Sequence, residues 1–133
     1  MGENLAKILV VDDEASVRDT LQRLLGLKGF DVSVAEGIDE ALDALGKTRF
    51  DAVVLDVRMP DSTGKQRSGI DVLGFIRNYE HLRRIPVLIL TGGDLTDAEE
   101  KAILGLDSYV IPKSEGWQTL FPYLKHLTNA RRD

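Results

Sequence analysis

Five short apolar runs recur along the chain: Ile8-Leu9-Val10-Val11, Val32-Ser33-Val34-Ala35, Ala52-Val53-Val54-Leu55, Val87-Leu88-Ile89-Leu90 and Tyr109-Val110-Ile111. The first, third and fourth are continuous rather than alternating. That is the pattern of strands buried on both faces, as in a parallel sheet covered by helices. The second alternates more, which predicts a strand nearer a sheet edge. Between the runs, apolar residues return at helical spacing. Val17, Leu21, Leu24 and Leu25 lead to Gly29, a stop signal. Ala41, Leu42 and Leu45 form a second face ended by Gly46, and Val72, Leu73 and Ile76 a third. Leu95, Ala98, Ala102 and Leu106 make a fourth, with Thr96 and Glu99 spaced as a capping box. Trp117, Leu120, Phe121, Leu124 and Leu127 make a fifth. Pro122 is tolerable there only in the first turn, so the last helix is expected to be short or bent near its start.

Strand and helix thus alternate five times. With right-handed crossovers this is a doubly wound, three-layer α/β domain. A chain of 133 residues suits one such domain. A single domain over 1–133 is expected, with its core at about 6–127 and a tail or the start of a linker at 128–133. The net charge of −5 argues against nucleic-acid binding by this domain. The absence of cysteine excludes a disulfide framework, a thiolate metal site and a thiol nucleophile. No apolar run approaches the roughly 20 residues of a membrane span. The first residues lack the apolar core of a signal peptide, and Ala6 stands where a myristoylation motif requires Ser or Thr. A soluble cytoplasmic domain is the expectation.

In doubly wound sheets the active crevice lies outside the carboxyl ends of the strands. The first run ends in Asp12-Asp13-Glu14, the third in Asp56, the fourth in Thr91-Gly92-Gly93 and the fifth in Pro112-Lys113. Acids from the first and third strands would form one cluster of like charge, costly if bare. A hard divalent cation such as Mg²⁺ takes oxygen ligands and relieves that repulsion. A lysine and a threonine hydroxyl nearby add a fixed cation and a donor, and together such groups neutralise the oxygens of a phosphoryl group in transfer. Each residue also has a plain alternative. Asp12, Asp13 and Glu14 could simply serve the N-terminus of the first helix, Thr91 could be turn chemistry, and Lys113 a solvated surface residue. Asp56 closing an apolar run is harder to dismiss, because Asp is rarely buried unpaired. The joint occurrence at four strand ends favours a phosphoryl site.

These residues resemble the receiver domain of two-component response regulators. The likeness covers about residues 6–127 and rests on "ILVVDDE", "DAVVLDVRMP", "VLILTGG" and "GLDSYVIPK". It implies a flavodoxin-like (βα)5 sandwich with parallel strand order 2-1-3-4-5. It implies that Asp56 accepts a phosphoryl group from a histidine kinase or histidine phosphotransfer protein. Asp12, Asp13, Asp56 and the backbone carbonyl of Arg58 then hold Mg²⁺, for which Mn²⁺ can substitute. Thr91 and Lys113 contact the phosphoryl group, and Thr91 with Tyr109 forms the conformational switch. Output passes to a partner or output domain through the face of the fourth helix, fifth strand and fifth helix, with a homodimer as one option. By this likeness the chain is a signalling domain rather than an enzyme, assisting only its own phosphotransfer and autodephosphorylation.

Two departures stand out. The third helix fits a start at Gly69 rather than Gly64, so "STGKQ" or thereabouts reads as an insertion of about five residues that adds Lys65 and Arg67 near Asp56. Gly64-Lys65 is not a phosphate-binding loop, since no glycine stands five before Gly64 and Gln66 replaces the Ser or Thr. The family's lysine usually lies three residues after the switch aromatic, yet here Pro112 holds that place and Lys113 the next. A shift of one residue turns a strand side chain to the other face, so the backbone at Ile111-Pro112 is expected to bend, a cis bond being one way. Arg58, two residues past Asp56, is expected to alter autodephosphorylation. An aspartate-nucleophile phosphohydrolase would carry a second aspartate where Arg58 stands. A flavodoxin-like cofactor binder would need a Ser/Thr-rich loop after the first strand. The remaining competitor is a degenerate receiver acting as a phosphorylation-independent interaction module.

Overall fold

The computed structural model describes residues 5–60, 66–79, 82–91, 95–105, 108–112 and 117–132. All five apolar runs are strands of one parallel sheet: β1 (Lys7–Val11), β2 (Asp31–Ala35), β3 (Ala52–Asp56), β6 (Val87–Thr91) and β7 (Tyr109–Pro112). Two three-residue strands, β4 (Arg58–Pro60) and β5 (Gln66–Ser68), lie between β3 and the third helix and pair with each other as a separate two-stranded sheet. The large sheet runs β2-β1-β3-β6-β7, which is 2-1-3-4-5 once the small pair is set aside. The central strands β3 and β6 are buried throughout, whereas β2 alternates and lies at an edge, as its sequence pattern requires.

Alternate residues of each central strand enter different cores. Leu9, Val11, Val53, Leu55, Val87 and Ile89 pack on one face with α2 (Ile38–Lys47), α3 (Gly69–Asn78) and Ile103 of α4 (Asp97–Gly105). Ile8, Val10, Val54, Leu88 and Leu90 face Leu21 and Leu25 of α1 (Ala15–Leu27) and Leu120 and Leu124 of α5 (Leu120–Arg132). The period of two thus distributes one sheet between two helical layers.

Helix ends follow local chemistry with three differences from the sequence reading. Gly29 ends α1 at φ 93°, where the Gly29 amide donates to the Gly26 carbonyl and the Phe30 amide to the Leu25 carbonyl, each at 3.1 Å. This is a Schellman closure, and glycine reaches that conformation without a Cβ penalty. Thr96 and Glu99 form the expected capping box, with amide-to-side-chain bonds of 3.0 and 3.1 Å. The first difference is Gly46, which lies inside α2; the helix runs on to Lys47. The second is α4, where Ile103 is buried among the described side chains while Ala98 is exposed; Leu106 lies outside the described residues. The third is α5, which is 13 residues long rather than short. A single 3₁₀ turn at Trp117–Thr119 precedes it, and Pro122 falls in its first turn, where the missing N–H is harmless. The helix continues past 127 to Arg132, and Thr128 is buried with its hydroxyl donating to the Leu124 carbonyl at 2.7 Å.

Candidate functional site

Asp12 and Asp13 follow β1, and Asp56 is the last residue of β3. The two strands are neighbours, with Val11 opposite Leu55, so their carboxyl ends meet. One carboxylate oxygen from each of Asp12, Asp13 and Asp56 lies within 4.8 Å of the others. Asp12 and Asp56 are buried, at 0% and 7% exposure, while Asp13 is exposed. Two of the clustered carboxylates are buried and the third faces solvent. Three oxygen donors and no nitrogen or sulfur suit a hard divalent cation, Mg²⁺ above all.

Glu14 is the N-cap residue of α1, yet its side chain makes no capping bond, and no acid lies in the helix's first turn. Asp12 Oδ1 instead accepts from the Glu14 amide at 2.9 Å, which folds the loop and orients its carboxylate. The Asp12 amide donates to the Ala35 carbonyl at 3.1 Å, tying the loop to the end of β2.

Thr91 ends β6 and is buried at 6% exposure. Asp56 is opposite Leu90, and the Val57 amide donates to the Leu90 carbonyl at 3.2 Å, so Thr91 follows directly at the same sheet edge. Tyr109 opens β7, is 45% exposed, and has its ring centroid 6.4 Å from that of Tyr123 on α5. Pro112 is the register partner of Thr91, which places the proline at the site edge. Lys113 lies outside the described residues, as do Gly92 and Gly93. Among the described residues no peptide bond is cis. Arg58 opens β4, paired with Ser68 of β5. The expected insertion is thus flanked by two short paired strands just past Asp56, while residues 61–65, Lys65 among them, lie outside the described residues.

Sequence reasoning missed Arg18 and Glu36. Arg18 Nη1 donates to the Asp12 backbone carbonyl at 2.8 Å, and its Nη2 stands 3.9 Å from Glu36 Oε2. Its signal was the position one helical turn past Glu14, beneath the acid loop, which helix spacing alone does not single out.

The sequence profile of the response regulator receiver domain matches residues 8–124. "Response regulator MprA" of a Mycobacterium species (strain KMS) is 38% identical over 102 residues, which are 77% of this chain and 40% of that protein. The chain thus spans less than half the length of the curated relatives it matches. Among solved structures, the chemotaxis protein CheY4 of Vibrio cholerae superposes with a TM-score of 0.80 at 26% identity, covering 93% of this chain and 99% of that one. The response regulator TrrA of Thermotoga maritima, solved in complex with Mg²⁺-BeF, gives a TM-score of 0.77 at 32% identity over 92% and 99%. Profile, relatives, strand order and acid pocket converge: the chain belongs to the response regulator receiver domain family of two-component signal transduction.

Proposed function

We propose that this receiver accepts a phosphoryl group on Asp56 from a phosphohistidine of a sensor kinase or histidine phosphotransfer protein, and passes the signal to an output domain or partner. The observation that carries the reading is the convergence of Asp12, Asp13 and Asp56, with oxygens within 4.8 Å, at the carboxyl ends of β1 and β3. An Asp56 carboxylate oxygen attacks phosphorus, the bond from phosphorus to the imidazole nitrogen breaks, and the imidazole leaves with the bond electrons. Asp12, Asp13, Asp56 and the Arg58 carbonyl are the groups to hold Mg²⁺, which when bound offsets charge on the phosphoryl oxygens. Asp12, held by the Glu14 amide, keeps its carboxylate aimed into the pocket. Thr91 donates to a phosphoryl oxygen, and Lys113 pairs with the phosphoryl group. Both interactions strengthen as charge develops there.

The phosphorylated state is read through Thr91 and Tyr109. A phosphate that contacts Thr91 in one arrangement only shifts the population toward it. Tyr109, half-exposed beside Tyr123 in this structure, then turns inward. Water attack on the acyl phosphate ends the signal. The chain is in this reading a phosphoacceptor that assists its own turnover, working in the cytoplasm.

Incubation with Mg²⁺ and a small acyl phosphate, followed by intact-mass measurement, tests the proposal. A labile phosphoryl adduct that is absent in Asp56→Asn is expected. One observation favours the degenerate interaction module instead, namely that Pro112 rather than a lysine pairs with Thr91. No adduct from any donor, together with no Mg²⁺ binding, would establish that alternative.

A further inference from the structure

Arg18 lies within α1, one helical turn past Glu14, and touches the loops that follow β1 and β2, at Asp12 and Glu36. Its two contacts are unequal. The pair with Glu36 is 3.9 Å long and the Glu36 side chain is 70% exposed, so solvent screens it and it contributes little. The bond from Nη1 to the Asp12 carbonyl is 2.8 Å long, is charge-assisted and comes from a side chain only 15% exposed.

That carbonyl belongs to the peptide joining Asp12 to Asp13. Holding it restrains ψ of Asp12 and φ of Asp13 together, and with them the directions of both carboxylates. The Glu14 amide fixes the same loop from the other side through Asp12 Oδ1. We propose that Arg18 is a positioning residue for the acid site, setting the Asp12–Asp13 peptide and through it the affinity for a divalent cation. The inference rests on the phosphoacceptor reading for its metal, but its geometry stands on this chain's own bonds.

Charge and geometry predict opposite effects, which makes the idea testable. A guanidinium near the pocket repels a divalent cation, so if charge alone mattered its loss would tighten binding. If the brace matters, its loss loosens binding. Arg18→Lys keeps the charge but lacks the planar fork that reaches the carbonyl. Partners that orient metal ligands typically contribute 10- to 100-fold in affinity.

Calorimetric Mg²⁺ titration of Arg18→Lys is expected to show binding weakened by about tenfold, with Glu36→Gln within about twofold of the unaltered chain. Arg18→Lys binding like the unaltered chain, or Arg18→Met binding more tightly, overturns the proposal. A metal-free readout separates this from the function reading: NMR hydrogen exchange of the Glu14 amide, with global stability checked by thermal unfolding. Exchange about tenfold faster in Arg18→Lys is expected, since the loop that shelters this amide loses its brace. Unchanged exchange overturns the proposal. Faster exchange in a chain that binds no Mg²⁺ would leave the brace standing and remove the metal reading alone.

Discussion

Removing the charge of Asp56 should stabilise the metal-free protein, although Asp56 is the proposed reactive residue. Asp12 and Asp56 are both buried, with ligand oxygens no more than 4.8 Å apart. Two unit charges at that distance repel by about 3.5 kcal/mol at the effective dielectric of ~20 that describes protein sites. Asp13 is exposed, so solvent screens its share. In the unfolded chain these residues are far apart and solvated, so the repulsion belongs to the folded state. Asp56→Asn preserves shape and removes the charge, while imperfect amide hydrogen bonding costs about 1–2 kcal/mol in return. The net gain is about 1–3 kcal/mol. Unfolding entropy scales at about 2.1 cal/mol/K per residue, so for this chain each kcal/mol moves Tm by roughly 3.5 °C and the expected rise is about 4–10 °C. Calorimetric melts in chelator measure it. Mg²⁺ at ten times its dissociation constant should stabilise the unaltered chain by about 1.4 kcal/mol, or roughly 5 °C. In Asp56→Asn that increment should shrink to less than half, because one ligand has lost its charge. A metal-free Asp56→Asn melting at or below the unaltered chain, or an equal Mg²⁺ increment in both, would refute the acid-cluster reasoning.

Three further outcomes follow from particular residues. Lys113→Ala should slow phosphorylation by a small phosphodonor by about tenfold or more, because the proposed function gives Lys113 the positive charge that pairs with the phosphoryl group; a normal rate with a normal switch would make the lysine a bystander. Arg58→Ala should change the lifetime of the phosphorylated form by about threefold, followed by decay of the mass adduct, since Arg58 follows Asp56 by two residues in the sequence and removing its charge alters the field in which the acyl phosphate is hydrolysed; an unchanged lifetime would end that idea. Gly29→Ala should destabilise the fold by about 1–2 kcal/mol, read in denaturant unfolding, because the φ of 93° is strained for any side chain although the space around it is open. Stability equal to the unaltered chain would contradict the Schellman account.

The acids were legible because an aspartate that closes a buried apolar run has few other reasons to be there. Ile8 through Val11 and Ala52 through Leu55 could be read as doubly buried strands for a related reason: their continuity leaves no solvent face. Ile103 was harder, because in a nine-residue helix with little apolar contrast, packing against α3 rather than pattern chooses the buried side. Arg18 was invisible for a different reason. Its partner is a backbone carbonyl, and a carbonyl leaves no mark in the sequence.

The two short strands past Asp56 show how the acid site can tolerate added residues nearby. The better fit of the third helix to Gly69 than to Gly64 marked added residues here but no strands, because strands of three residues are too short to display a period. The pairing of Arg58 with Ser68 brings the two ends of the excursion to within a strand spacing, about 5 Å. The β4–β5 pair ends at Ser68, immediately before α3 begins at Gly69. Upstream, the bond from the Val57 amide to the Leu90 carbonyl holds the end of β3 to β6 independently of the hairpin. Closing a loop costs little more as it lengthens, so residues can be added here without displacing Asp56 from Asp12 and Asp13. The chain can vary its surface at the rim of the acid pocket while the sheet keeps the carboxylates in place.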